Sequence, residues 1–432
     1  MSFLHHAVGL AGLHYWLRLT GTPLLVLICV LAVALPAAAV FSWTRFRTLR
    51  VSRTIAALVA SQLMVTLAIG LMINRSQNFF TSWSDLFGTA APAAHQVKVA
   101  PGSLDSRVAT HEAGAKAGQG VVVEITLHGT RSHITEPAWV YLPPQYNKAG
   151  WKQRRFPVIE ALDGYPGDPQ RWLNSLRLRQ VMDAEIDSGR MQPTIVVLPT
   201  QTTGTGHDSE CINQVGGPQW ATYLTTDLRQ AIEKDFRAIA NRDGWGLTGY
   251  STGGFCTNNL ALQHDYGYAA TGSMSGYFVP YIDSSTGNLF AGSVAAREAN
   301  DPTWQVEHVK NLPSISMYAA CAAPDPDPCK EGRAFALAAR GTPIQFTQME
   351  LPSGGHNFTT WRAVEAPVLD FLSDHLVGPA APASVPDKHI PTVIPHKKKH
   401  TRNPVLRAGG TSPTPSGTRG TTAGGANAPA TR

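Results

Sequence analysis

Charge is scarce in this 432-residue chain: Asp, Glu, Lys and Arg make up 15% of it, against 43% apolar residues. So much apolar material excludes a mostly disordered chain and suffices for a large core. Acids are missing altogether from the first 75 positions, which hold six arginines, Arg18, Arg45, Arg47, Arg50, Arg53 and Arg75. At the other end, 379–432 has one acid, Asp387, against four lysines and four arginines. The net charge of +6 therefore comes from the two ends, and 76–378 carries −7. An acidic middle that supplies the core excludes reading the basic balance as a nucleic-acid signature. Cysteine is scarce too. There are five, none at C-x₂-C spacing, which excludes a disulfide scaffold and a zinc finger.

What is present begins with two apolar runs. Residues 22–43 and 54–73 hold no charge. At about 1.5 Å per residue each is long enough to cross a hydrocarbon layer of about 30 Å. A cleavable signal peptide would have a shorter apolar region and no second run behind it. Arg45, Arg47, Arg50 and Arg53 crowd the loop between them. The positive-inside rule puts that loop in the cytoplasm and everything after the second run outside. Residues 2–20, with His5, His6, His14 and Arg18, read as an interfacial helix, a third span being the alternative. Phe79, Phe80, Trp83, Leu86 and Phe87 recur at near-helical spacing, as an outer aromatic belt or as packing onto the globular part. The expectation is a membrane anchor over 1–78 in contact with lipid, and an interfacial segment and flexible linker over 79–120. Ala, Gly and Pro supply 16 of the 33 residues in 88–120. From 379 onward the chain is rich in Pro, Gly, Thr and Ala and holds the run His396-Lys397-Lys398-Lys399-His400. Such a stretch buries too little to offset its ordering entropy, so a disordered basic tail is expected.

Between these ends, 121–378, strand-like runs fall at 121–127, 138–142, 157–162, 194–198, 245–249, 269–274, 315–320 and 346–351. Helical patterns lie at 172–186, 224–239, 252–264, 330–339 and 360–376. Such alternation predicts an α/β fold, a mainly parallel sheet flanked by helices. Eight strands and a closing helix suit an α/β-hydrolase sheet, whose ligands bind beyond the carboxyl ends of the strands.

Chemistry can then be sought at those strand ends. Gly249-Tyr250-Ser251-Thr252-Gly253 is a G-x-S-x-G between a strand and a helix. In that context the turn thrusts the serine into the open as a nucleophile. A serine hydroxyl needs a positioned base, and in this fold the chain order is Ser, acid, His. His356 is the histidine on a glycine-bearing loop between the last strand and the final helix. The loop after 315–320 offers two acids, Asp325 and Asp327, each followed by proline. Asp325, nearer the strand end, is favoured, with Asp327 the alternative. An oxyanion needs two pre-aimed N–H groups. These are expected from the backbone of Thr252 and from Tyr165, in the turn Leu162-Asp163-Gly164-Tyr165.

Tyr141-Leu142-Pro143-Pro144, Leu162-Asp163-Gly164, Gly249-Tyr250-Ser251-Thr252-Gly253-Gly254, and His356 with Trp361 together resemble the putative esterase family. That family includes esterase D-type hydrolases and the mycolyltransferases of the antigen 85 group. The resemblance covers roughly 121–376. It implies an α/β-hydrolase fold and an acyl-enzyme on Ser251, with His356 as base and Tyr165 and Thr252 at the oxyanion hole. Mycolyltransferases use Glu as the triad acid where this loop offers Asp.

Outside the cell the four cysteines beyond Cys29 make an even set in an oxidising setting. Of three possible pairings, Cys321–Cys329 and Cys211–Cys256 are expected. The function expected is a membrane-anchored serine esterase or acyltransferase acting on acyl esters of the cell envelope. Its partners would be an acyl ester or lipid substrate and, for transfer, a sugar or alcohol acceptor; no cofactor, metal or nucleic acid is expected. The alternative is an envelope binding protein that keeps the fold without the activity.

Overall fold

The computed structural model describes residues 17–43, 50–77, 83–86, 96–99, 118–202, 207–263 and 267–381. The apolar runs near the N-terminus form α1 (Thr22–Ser42) and α2 (Arg50–Gln77). Proline in the first turn of α1 fits a position whose N–H has no helical partner. The two helices pack through Leu24, Ile28, Ala68 and Leu71, and the Ser61 hydroxyl donates to the Ala32 carbonyl at 2.6 Å. Their other faces bare large apolar side chains, with Val33 71%, Val40 74%, Phe41 78% and Leu63 61% exposed. Both are long and apolar enough to cross a membrane by length and composition. A single turn, α3 (Trp83–Leu86), follows.

The strand-like runs pair into one sheet: β1 (Gln96–Val99), β2 (Val121–His128), β3 (Thr135–Leu142), β4 (Val158–Leu162), β5 (Ile195–Pro199), β6 (Trp245–Tyr250), β7 (Ala270–Met274), β8 (Ser316–Ala322) and β9 (Gln345–Leu351). Their order is β1-β2-β3-β5-β4-β6-β7-β8-β9. All neighbours are parallel except that β3 runs against both β2 and β5. Every residue of β4, β5, β6 and β7 is buried, as strands covered on both faces must be. Alternate residues face opposite layers. Val158 and Val197 join Leu228, Leu260 and Phe335 on one side, while Ile159 and Val196 join Trp172, Met182, Val368 and Leu372 on the other. The helices that supply these layers are α4 (Leu178–Asp187), α5 (Leu228–Asp235), α6 (Thr252–Gln263), the short α8 (Pro302–His308), α9 (Pro326–Ala338) and α10 (Phe358–His375); the short α7 (Val294–Glu298), between α6 and α8, buries none of its residues. This is the α/β-hydrolase arrangement that the alternation predicts.

Several boundaries differ, each for a local reason. The helix read over 172–186 is broken: Trp172–Leu176 is a π-helical turn and Arg177 is left-handed (φ 64°) before α4 begins. The break shifts the phase so that Trp172 and Leu176 before it, and Leu178, Met182 and Ile186 after it, all reach one layer. The helix read over 224–239 ends at Asp235. Beyond it the chain runs extended, Phe156 donating to Arg237 O and Ile239 to Phe156 O. The helix expected from 330 begins at Pro326. Strand β1 lies inside the stretch read as a tether and pairs with β2 over Gln96–Val99. Residues 379 and 380, read as the start of the tail, are tied back by reciprocal backbone bonds between Arg155 and Ala380. The interfacial residues 2–16, the loop arginines Arg45 and Arg47, Phe79, Phe80, Phe87 and the basic run 396–400 lie outside the described residues.

Candidate active site

The turn from β6 into α6 has room only for glycine on either side of the serine. A Cβ on Gly249 would collide with the Gly253 carbonyl, and one on Gly253 with the carbonyls of Leu162 and Asp163. Between them Ser251 sits at φ 56°, a left-handed conformation that costs a non-glycine residue on the order of 1–3 kcal/mol. The fold over-determines it: Ser251 N donates to Met274 O at 2.9 Å, and Ser251 O accepts from Gly254 N and Phe255 N at 2.9 and 3.1 Å. The hydroxyl is thereby held at the carboxyl end of the central strand, at the start of a helix whose dipole is positive there.

His356 is carried by the loop from β9 to α10. Asn357 caps α10, its side chain accepting from Thr359 N at 3.0 Å and Thr360 N at 3.1 Å. The imidazole stands edge-on to Trp361, ring centroids 5.3 Å apart. Its Nε2 lies 2.7 Å from Ser251 Oγ, and its Nδ1 lies 2.8 Å from Asp325 Oδ2. Asp325 occupies the N-cap of α9, yet its side chain makes no capping bond; the carboxylate is given to the histidine instead. Asp327 sits in the first turn of α9. It lines the same cavity without a bond to the imidazole among the described residues. A disulfide between Cys321 and Cys329 staples the ends of this acid-bearing loop. The structure thus brings Ser251, His356 and Asp325 into one hydrogen-bonded line and leaves Asp327 beside it.

Tyr165 and Thr252 border the serine as well. A Cβ on Gly164 would come within 2.9 Å of Ser251 Cβ, so the 163–165 backbone passes directly over the nucleophile. Among the described residues no acceptor pairs with the backbone N–H of Tyr165 or of Thr252. Both residues line a cavity of about 260 Å³ that also exposes Ser251, His356 and Asp325.

The rest of that cavity was not foreseen in the motifs. Asp208 and Glu210, 6% and 1% exposed, lie just before Cys211, which is bonded to Cys256 in α6. The Thr252 hydroxyl donates to Asp208 Oδ2 at 3.1 Å, and Tyr277 OH donates to Glu210 Oε1 at 2.6 Å. Burial raises the pKa of Asp208. Burial, then the neighbouring Asp208 charge, pushes Glu210 well above the ordinary carboxylate range. Glu210 Oε2 accepts no hydrogen bond of acceptable geometry. The signal available in the sequence was the Asp208-x-Glu210-Cys211 run, two acids beside a cysteine expected to bond behind the nucleophile. Tyr277 follows β7, another strand whose carboxyl end faces the site.

No three carboxylates of this cavity converge closely enough to hold a metal ion; among the described residues the one such group is Cys321, Cys329 and Glu350. Its two thiols are spent in the disulfide.

Comparison with known proteins bears on the family and the fold. A family model described as putative esterase matches residues 136–366. A Corynebacterium glutamicum protein described as uncharacterized is 23% identical over 273 residues, 59% of this chain and 62% of its own length. An esterase of Mycobacterium tuberculosis is 29% identical over 138 residues, 32% of this chain and 28% of its own. The chain therefore spans less than two thirds of the length of either relative. Among solved structures, a ferulic acid esterase superposes with a TM-score of 0.52 at 22% identity, covering 60% of this chain and 99% of that one. At that identity it speaks for the fold.

Proposed function

The chain belongs to the putative esterase family, and on that premise we propose that it is a membrane-anchored serine esterase or acyltransferase acting on acyl esters of the cell envelope. The single observation that carries this reading is the line Ser251 Oγ, His356 Nε2, His356 Nδ1, Asp325 Oδ2, with steps of 2.7 and 2.8 Å, opening on a cavity. In the proposed reaction Ser251 Oγ attacks the ester carbonyl carbon while His356 Nε2 takes the hydroxyl proton. The Tyr165 and Thr252 N–H groups receive the oxyanion, and Asp325 holds the ring so that Nδ1 keeps its proton. Collapse breaks the bond to the leaving alcohol, which takes the proton from Nε2. Water, or an acceptor hydroxyl in the transferase case, then loses a proton to Nε2 and attacks the acyl-enzyme, and the proton returns to Ser251.

The anchoring part of the reading rests on α1 and α2. Their exposed Val, Leu and Phe side chains suit lipid far better than water. Arg45, Arg47, Arg50 and Arg53 between them favour a cytoplasmic loop, which puts the catalytic domain on the outer side. Two disulfides in that domain fit an oxidising compartment.

A fluorophosphonate probe tests the chemistry. Wild-type full-length protein in detergent should be labelled and Ser251→Ala should not. No labelling of the wild type, or equal labelling of both, would instead support a binding protein that retains the fold. Protease treatment of intact cells tests the topology: the catalytic domain should be cleaved without lysis.

A further inference from the structure

The cavity at Ser251 is small and ringed by acids. At about 260 Å³ it lies just below the range of about 300–1,000 Å³ usual for small-molecule sites. Asp208, Glu210, Asp283, Asp325 and Asp327 line it, and among the described residues no Lys or Arg does. Asp325 has its histidine, and Asp283 is satisfied by the amide and hydroxyl of Ser285. Glu210 differs. It is 1% exposed and faces the cavity, and one of its carboxyl oxygens has no well-aligned donor, the nearby Tyr281 amide easing its burial only in part. An unpaired buried carboxyl oxygen loses its hydration and gains nothing in return unless a ligand supplies a donor.

We propose that the substrate is an ester whose acyl group carries an ammonium close to the scissile carbonyl, that is, an aminoacyl ester, with Glu210 and Asp208 receiving the ammonium. The inference rests on the serine-esterase reading above. Asp208 accepts from the hydroxyl of Thr252, the residue next to the nucleophile, so the two acids lie near the reacting carbonyl. An ammonium on the α-carbon has the reach for that, and a small amino acid matches the cavity's volume. Five acids around the cavity would disfavour an anionic acyl group, and Tyr165, Tyr277, Tyr281 and Pro328 leave only a limited apolar surface for a fatty chain. The scattered placement of these acids suits an organic cation with three N–H donors, not a metal ion, which needs its ligands converged. Hydrolysis would break the acyl C–O bond, release the amino acid as a zwitterion and leave the alcohol behind, with water as the only co-reactant. The released ammonium would remain attracted to the acids while its new carboxylate is repelled, which favours departure of the product.

The test compares 2-naphthyl esters of L-alanine, N-acetyl-L-alanine and propionic acid on the full-length protein in detergent. Each kcat/KM is divided by that ester's own hydroxide-catalysed rate, because an ammonium activates an ester intrinsically. The alanyl ester should be preferred at least tenfold over both uncharged esters. Glu210→Gln should cut that ratio several-fold, mainly through KM for the alanyl ester; should this variant fail to fold, Asp208→Asn reads the same ratio. Uncharged esters turned over as well as the alanyl ester would overturn the proposal while leaving the serine-esterase reading intact. No turnover of any of the three, with Ser251 still labelled by fluorophosphonate, would overturn it in the same way. Absence of labelling would sink both.

Discussion

Two groups of side chains line one cavity, and they are built on different principles. In one, Ser251, His356 and Asp325 are each partnered in sequence, and the imidazole is 37% exposed. In the other, Asp208 and Glu210 are buried, their carboxyls pushed upward by desolvation, and Glu210 keeps one oxygen idle. The first group has all it needs to move a proton before any ligand arrives. The second is left at a disadvantage that a ligand can relieve. On the proposed reading, chemistry is preorganised where it must be common to every ester, and selectivity is left to groups whose state depends on what enters. Thr252 touches both, following Ser251 in the chain and donating its hydroxyl to Asp208.

The sharpest way to break this division is to neutralise in turn the favoured acid, Asp325, and its alternative, Asp327. Asp325→Asn should keep the fold and lower kcat about 10³–10⁴-fold, because an amide cannot hold the histidine in the tautomer that accepts the serine proton. Asp327→Asn, which removes a carboxylate from the same rim, should leave kcat nearly unchanged. Steady-state rates on one neutral ester decide it; a large loss in Asp327→Asn with a small one in Asp325→Asn would reverse the assignment.

The first group was legible in the sequence and the second was not, for physical reasons. Ser251 is announced by glycines whose absence of side chains is obligatory at that turn, and His356 by chain order and its place after the last strand. Both signals are local. Asp325 is favoured over Asp327 in the sequence only by lying nearer the strand end, a weak cue between two Asp-Pro pairs two residues apart; that Asp325 stands at the N-cap of α9 is visible only in the fold. Asp208 and Glu210 carry no motif. Their significance comes from burial beneath Tyr277 and beside Thr252, a long-range contact enforced by the bond from Cys211 to Cys256. Strand β1 was hidden for a similar reason: its short Val-Lys-Val pattern, set among alanines and glycines, becomes a strand only by pairing with β2. Both disulfides were foreseeable because each cysteine lay near an element already placed.

Those disulfides sharpen the comparison next, since one secures each group. Closing a loop of 45 residues, Cys211–Cys256 should contribute about 4 kcal/mol of stability by chain entropy. Cys321–Cys329, closing 8, should contribute about 2.5 kcal/mol. Replacing both cysteines of a pair by serine in the full chain, and following thermal unfolding by tryptophan fluorescence, should show the larger drop for the 211/256 pair. Activity should divide the other way. Loss of 321/329 frees the loop that carries Asp325 and should lower kcat, whereas loss of 211/256 should chiefly raise KM for an ammonium-bearing ester.

The smallest effect expected is also the one most specific to the second group. Glu210 has a folded pKa well above its ordinary value of 4.5, with burial the main cause. Between those two values the folded state holds a proton that the unfolded chain has shed, so this group's contribution to stability falls as pH rises from about 4.5 upward. Glu210→Gln removes that penalty. Its thermal midpoint, set against wild type, should gain steadily between pH 5 and pH 8. Glu160→Gln should behave alike, because burial of Glu160 in β4 raises its pKa to about 8. The two diverge when a small cation is added. Millimolar L-alaninamide, entering the cavity, should flatten the pH slope that Glu210 contributes and leave the one from Glu160 in the core untouched. Equal responses from both variants would mean that Glu210 is only another buried acid.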